Sequence, residues 1–292
     1  MRRAPVRPPV VLDFDGSVEG ATDAICVDLR AWHDRIRFAC SLRALRKLRK
    51  MLDVAAPAPH GPVFLGSGDF HHVSLPLIER IARSYSGFDV VVLDNHPDNM
   101  RFAFGVHCGS WVRRVAALPQ VHHVHVLGIT SSDVDTAHAW QNYLRPLRRG
   151  KVSYACLGVD TSWAQHHGLG KRVRTFDCVA ELLAHWRADL SRSGRPVYLS
   201  IDKDAFSAEG VQTNWDQGRL LADDLWIVIN SLRGRLLGCD VCGEVSIAHY
   251  RSRLKRWLSA LDGQVKPPAL ELAAWQRRQA EFNAALLQHL RV

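Results

Sequence analysis

The sequence predicts an α/β protein built on a mostly parallel sheet with helices over both faces. Three observations lead there. Short β-rich apolar runs alternate with longer stretches whose apolar residues recur at helical spacing, the pattern of repeated βαβ units. Several runs, such as VVVL at Val90–Leu93, are apolar throughout, as strands covered on both faces should be. Acids and histidines follow four of the runs, and open α/β sheets bind ligands at the carboxyl ends of their strands.

Taken in order, the first strand is Val10–Phe14 (VVLDF), which runs into Asp15-Gly16. From Arg30 to Lys50, Arg30, Arg35, Arg37, Arg43, Arg46, Lys47, Arg49 and Lys50 interleave with Ile36, Phe38, Leu42, Leu45 and Leu48. That spacing predicts an amphipathic helix with a solvated basic face. The Pro-rich stretch Ala55–Pro62 is a loop entering the strand Val63–Leu65. Further strands are expected at Val90–Leu93, His123–Ile129, Ser153–Val159, Val197–Ile201 and Leu236–Val241. Helices are expected at Ser74–Ser84, Ser110–Ala117, Thr136–Leu147, Cys178–Ser191 and Ala222–Leu232. After Pro267-Pro268 the tail to Val292 reads as a helical extension. There is no internal repeat and no low-complexity segment, so residues 1–292 are expected to form one domain.

The chain has 292 residues, 47% of them hydrophobic and 23% charged, enough for a large core. No apolar run approaches the roughly eighteen residues of a membrane span, and the start MRRAPVRPPVVLDF lacks the apolar centre of a secretory leader. Seven cysteines lie mostly in apolar runs, which suits reduced, packed thiols in a cytoplasm. The net charge of +9 raises acidic partners or nucleic acid. No aromatic-rich RNA motif or zinc-finger spacing accompanies it, so the excess is assigned to a solvated face and nucleic acid is not expected.

The chemistry gathers after the strands. Gly66-Ser67-Gly68-Asp69-Phe70-His71-His72, Asp94-Asn95-His96-Pro97-Asp98, Asp202-Lys203-Asp204 and Cys242-Gly243-Glu244 each follow an apolar run. Residues two apart in extended chain face one side, so Asp94, His96 and Asp98 can converge, as can Asp202 and Asp204. Four carboxylates held together would repel unless cations joined them. Five or six oxygen and imidazole donors exceed the needs of one tetrahedral zinc and suit two ions sharing bridging carboxylates. A donor set rich in hard oxygen favours Mn²⁺, and such a pair can hold a hydroxide as nucleophile.

The succession GSGDFHH, LDNHPD, SIDKD and GCDVCGE resembles the arginase/agmatinase (ureohydrolase) family, from about residue 63 to 246. The resemblance implies a three-layer α/β/α fold, like that of arginases and deacetylases. It also implies hydrolysis of a non-peptide C–N bond in a guanidino or amidino compound by a metal-bridging hydroxide. By position, Asp94 and Asp202 would bridge two manganese ions. His71 and Asp98 would complete one site, His96 and Asp204 the other. Asp98 would also accept a hydrogen bond from the hydroxide, Glu244 would bind the guanidinium, and His107 would shuttle a proton to the leaving amine. A small-molecule substrate and a homo-oligomer are implied as well. The sequence departs from the family pattern in its first motif, where His71 and His72 compete for the ligand role, with His71 preferred. It departs again at Asn95 and Lys203, and in the absence of a recognisable substrate loop.

Three rivals share these residues. Asp13-Phe14-Asp15-Gly16-Ser17 looks like the nucleophile motif of haloacid-dehalogenase phosphatases, with Asp13 and Asp15 in the active roles. A deacetylase would use a single zinc, but Asp98 and Asp204 supply donors for a second ion. A non-catalytic basic binding module on the same fold is the third. Cys239-x-x-Cys242 reads as core packing, as do His122, His123 and His125 beside their strand, while Trp163–Gly170 is a candidate for the substrate entrance.

Overall fold

Eleven strands are seen among the described residues: β1 (Val10–Asp13), β2 (Ile25–Asp28), β3 (Ala39–Cys40), β4 (Val63–Phe64), β5 (Phe88–Leu93), β6 (Val106–His107), β7 (Val121–Ile129), β8 (Val152–Leu157), β9 (Val173–Phe176), β10 (Val197–Asp202) and β11 (Leu236–Cys242). The structure is a computed structural model and describes residues 7–290 except 57, 59, 248–249, 254, 257–266 and 269. Nine strands form one sheet in the order β2-β1-β4-β11-β10-β5-β7-β8-β9, with every pairing parallel. β3 and β6 make a separate antiparallel pair.

The pleat of β5 explains the layering. Val90 and Val92 enter one hydrophobic cluster, with Leu48, Trp111 and Val115 from the helices on that face. Val91 and Leu93 enter the other, with Leu182, Trp186, Leu225 and Leu286. Successive side chains of a strand point to opposite faces, so an unbroken apolar run requires helices on both sides. That is the three-layer fold.

The seven strands read from the sequence are present to within two residues at most ends. β2 and β9 were not anticipated. Both carry exposed positions and both sit at the edges of the sheet, where one-sided burial leaves little apolar signal. The basic helix is corrected: it spans Leu42–Ala55, with the Ser41 side chain accepting a hydrogen bond from Ala44 N at 3.2 Å. Upstream, Phe38 adopts a left-handed backbone (φ 66°) and Ala39–Cys40 pairs as β3. Arg37 is not on a solvated face. It is 1% exposed and bridges Asp69 (2.6 Å) and Asp15 (3.3 Å). The continuous helix expected over Thr136–Leu147 is also corrected. It is a short turn at Ala139–Gln141 and a five-residue helix at Leu144–Arg148, separated by Asn142, which bridges to Met100.

The C-terminal helix, Leu272–Leu290, packs into the domain, with Leu286 and Leu287 in the core. The last two residues of the expected extension lie outside the described ones.

Candidate metal centre

The carboxyl ends of β4, β5, β10 and β11 are neighbours in the sheet, and the motifs after β4, β5 and β10 enter one cavity of about 590 Å³. His71 arrives on a 3-10 segment, Gly68–Val73. Three residues per turn bring positions three apart to one side, so Gly68 and His71 face the cavity together. His72 turns into the interior, where burial holds its imidazole neutral, its pKa lowered to about 3. His71 rather than His72 therefore meets the acids. Its Nδ1 lies 2.9 Å from Asp98 Oδ2, 3.2 Å from Asp94 Oδ2 and 3.4 Å from Asp202 Oδ2.

Asp94 leaves β5 in a tight turn, its Oδ1 accepting the His96 N–H at 2.7 Å. His96 Nδ1 then lies 3.0 Å from Asp204 Oδ2 and 3.5 Å from Asp94 Oδ1. Asp98 reaches the same cavity by a different route from the extended chain expected. Its φ is +46°, a left-handed conformation costly for a residue with a Cβ, and this turn swings its carboxylate back toward His71. Trp111 Nε1 donates to Asp98 Oδ2 at 2.5 Å. Asp202 ends β10 and accepts the Asp204 N–H at 3.2 Å. All six predicted ligands thus converge. Their ligand atoms form two overlapping triads, His71/Asp94/Asp98 and Asp94/His96/Asp204, each with all atoms within 4.8 Å, and Asp202 joins His71 in a third group with Cys242.

The electrostatics fit cations. Burial and the neighbouring Asp94 carboxylate push Asp98 up to about 7, and burial with Asp202 and Asp94 raises Asp204 well above the carboxylate range. Burial works against charging His71 and His96, yet the surrounding acids raise both well above an ordinary histidine. Left to themselves, these groups gather protons. Asp94 Oδ2 accepts no hydrogen bond although it is buried. It faces His71 Nδ1 at 3.2 Å, and a divalent ion among hard oxygen and imidazole donors would satisfy both groups.

Around the ligands the support is built in. His71 Nε2 meets Ser200 Oγ at 2.9 Å, and Ser200 donates to Asp240 Oδ1 at 2.7 Å. Asp240 is further held by Ser74 Oγ and Tyr198 OH. Asn95 ties three loops: its N–H donates to Asp204 Oδ1, its amide to Asp216, and its Oδ1 accepts from Thr130. Gly243 has φ +94°, and a Cβ there would lie 2.6 Å from Asp202 Oδ1; only glycine leaves that carboxylate its place.

Two residues at the site were not anticipated. Asp216 accepts from His96 Nε2 at 2.8 Å; it comes from a turn-rich loop (TNWDQG) with no strand to announce it. Cys242 Sγ donates to Asp202 Oδ2 at 3.0 Å, so of the Cys239/Cys242 pair only Cys239 is simple packing.

Other expectations are corrected. Glu244 does not face the cavity. Its carboxylate is 2% exposed and accepts from Lys203 Nζ at 2.6 Å and Asn283 Nδ2 at 2.7 Å. Lys203 points away from the ligands, as alternation requires, and Glu244 is its counter-charge. His107 does line the cavity. Its Nδ1 accepts the Gly109 N–H at 3.0 Å, and burial lowers its pKa to about 4. Asp13 and Asp15 are elsewhere, held by Arg30 (3.0 Å) and Arg37 (3.3 Å), which removes the phosphatase arrangement. Trp163–Gly170 does not line the cavity; Trp163 is buried and donates to Val134 O.

A profile described as "Arginase family" matches residues 22–248. The chain belongs to the arginase family. A Thermotoga maritima relative, described only as "Uncharacterized protein", is 31% identical over 189 residues, covering 64% of this chain and 60% of that protein. The arginase-family chain therefore aligns with well under the full length of that curated relative. Among solved structures it is similar to arginase from Bacillus subtilis (11% identity, TM-score 0.56, covering 98% of each chain). It is also similar to proclavaminate amidino hydrolase from Streptomyces clavuligerus (17%, TM-score 0.54, covering 100% of this chain and 94% of that one). At these identities the likeness is one of fold, and the chain is a divergent member. Among the described residues no helix is long and apolar enough to cross a membrane.

Proposed function

We propose that this chain is a manganese-dependent hydrolase of a C–N bond in a small guanidino or amidino compound. The observation that carries this is the pair of triads sharing Asp94 at the floor of a 590 Å³ cavity. In this reading His71, Asp94, Asp98 and Asp202 hold one Mn²⁺, and Asp94, His96, Asp202 and Asp204 the other. When bound, the pair supplies an activated water and stabilises charge on the reacting centre.

The chain's own residues do the rest. Trp111 Nε1 holds Asp98 Oδ2, and Asp98 Oδ1 would take the proton of the attacking water. With Nδ1 accepting from Gly109, His107 carries its hydrogen on Nε2 and directs it to the leaving amine. Glu244 is internally neutralised, so the substrate cation meets Asp216 and Asp133, the remaining carboxylates of the cavity wall. Phe38, Phe102 and Trp215 flank its apolar part. All seven cysteines are free and five are buried, which supports a reducing, cytoplasmic setting. We also read residues 1–292 as a single catalytic domain, since the C-terminal helix contributes Asn283 to the Glu244 pair.

The test is release of urea or ammonia from a panel of guanidino and amidino compounds with Mn²⁺ present. Turnover that is lost on chelation and in Asp94→Asn and Asp204→Asn supports the proposal. Turnover that survives both removes it.

A further inference from the structure

A second cavity, of about 330 Å³, lies between the helix Val179–Ser193 and strands β7, β8 and β9. It shares no lining residue with the cavity at the metal centre. Its charge is lopsided. Lys171, Arg172, Arg174, Arg192 and Arg195 line it, against Asp89 and Asp189, an excess of three positive charges (five less two). Arg192 pairs with Asp189, and His122 stands 3.3 Å from Asp89. The other four cations have no acidic partner among the described residues, and Arg174 instead meets His185.

Two buried side chains among the lining residues carry polar atoms without a hydrogen-bond partner among the described residues. Trp186 is 2% exposed and its Nε1 has no hydrogen-bond partner. His125 is 9% exposed and makes no hydrogen bond among the described residues, whereas its neighbour His123 is satisfied by Gly150 O and Ser153 Oγ at 2.8 Å each. Burial keeps His125 neutral, its pKa well below the ordinary value. The wall is also rich in rings: His123 and His125 lie with centroids 4.4 Å apart and planes inclined by 57°, and Phe176 and Trp186 line the cavity beside them. At the nearby helix end Arg235 engages the carbonyl of Leu190, and beyond the helix that of Arg195.

We infer that this cavity binds a small phosphorylated molecule carrying a flat ring, of nucleoside-monophosphate size. A phosphate carries about −1.5 to −2 charges at neutral pH, which matches the excess better than a single carboxylate does. Arginines engage its oxygens in paired hydrogen bonds, the ring stacks on the aromatic wall, and the volume lies at the small end of ligand sites. The site is independent of the metal centre, and so is the inference.

Calorimetric titration of the full chain tests it, with adenosine and uridine 5′-monophosphates as probes and adenosine and inorganic phosphate as their halves. Saturable one-to-one binding of a monophosphate is expected, with adenosine weaker by about tenfold or more, and binding should persist in Asp94→Asn. Arg172→Ala/Arg195→Ala should weaken it by about tenfold or more, the loss of charge-assisted hydrogen bonds, without shifting the melting temperature of the unliganded protein. Arg195→Glu, a single change at a half-buried position, should weaken it likewise. The inference is overturned if neither monophosphate binds, or if adenosine binds equally well. It is equally overturned if the arginine variants bind like the wild type, or if binding disappears in Asp94→Asn.

Discussion

Asp98 sits where one backbone torsion decides whether a carboxylate joins the site. Its positive φ costs of order 1–3 kcal/mol, and what the turn secures is contact with both His71 and Trp111. The Trp111 indole is thus a positioning group. Trp111→Phe keeps the ring and removes the donor, and should lower Mn²⁺ affinity by about 10–100-fold, the usual effect of losing a hydrogen bond to a ligand. A manganese titration of the variant that matches the wild type would refute this. Histidine burial sets a pH limit on the fold. Burial lowers His107 to about 4 in the folded chain from its ordinary 6.5, and burial also lowers His125 well below the ordinary value. Between those values the unfolded chain binds protons that the folded chain does not. The stability His107 contributes is therefore complete above pH 6.5 and declines as pH falls toward 4, by up to ~1.4 kcal/mol per pH unit, and His125 acts in the same direction. Denaturant titrations across this window should show the decline, and His107→Asn should flatten it; an equal slope in the variant would contradict the assignment.

Single elements carry the next level of the account. The strand end Asp202-Lys203-Asp204 sends its acids to the cavity and its lysine to the opposite side, where Glu244 and Gln279 accept from it and Asn283 donates to Glu244. The C-terminal helix is thereby fastened behind the metal-ligand strand. Lys203→Met strands a buried carboxylate and should cost about 3–5 kcal/mol. The double variant Lys203→Met/Glu244→Met should recover much of that in a denaturation experiment, and a double variant no better than the single would show the pair to be irrelevant. At the basic helix, Ser41→Ala removes the cap and should cost ~1 kcal/mol, read from the same curves. These elements also show where the sequence was legible. Alternation correctly sent Lys203 away from Asp202 and Asp204, because a period of two is fixed by the strand itself. It gave no hint of Lys203's partners, since Glu244 and Gln279 lie 41 and 76 residues downstream. Glu244 was accordingly misread as facing substrate. The basic helix was overextended for a similar reason: charge and spacing described Leu42–Ala55 well, but the burial of Arg37 depends on Asp15 and Asp69, which only the fold brings near.

For the whole molecule, the parallel sheet was readable because most interior strands are dominated by apolar residues, and the two hydrophobic clusters divide Val90–Leu93 of β5 between them residue by residue. The edge strands β2 and β9 were not readable, being half exposed. The metal centre was readable in its donors because each follows a strand, and the strand order places β4, β11, β10 and β5 side by side. Asp216 was not, because it lies on a loop whose course depends on Asn95 and His96. All of this rests on six side chains acting as one binding unit for two cations. Elemental analysis of the purified chain after incubation with Mn²⁺ and removal of free metal tests it most directly. The account predicts two manganese ions per chain, and loss of both sites' occupancy in Asp94→Asn, whose carboxylate belongs to each triad. A wild-type chain that retains no manganese, or an Asp94→Asn chain that retains two ions, would contradict it.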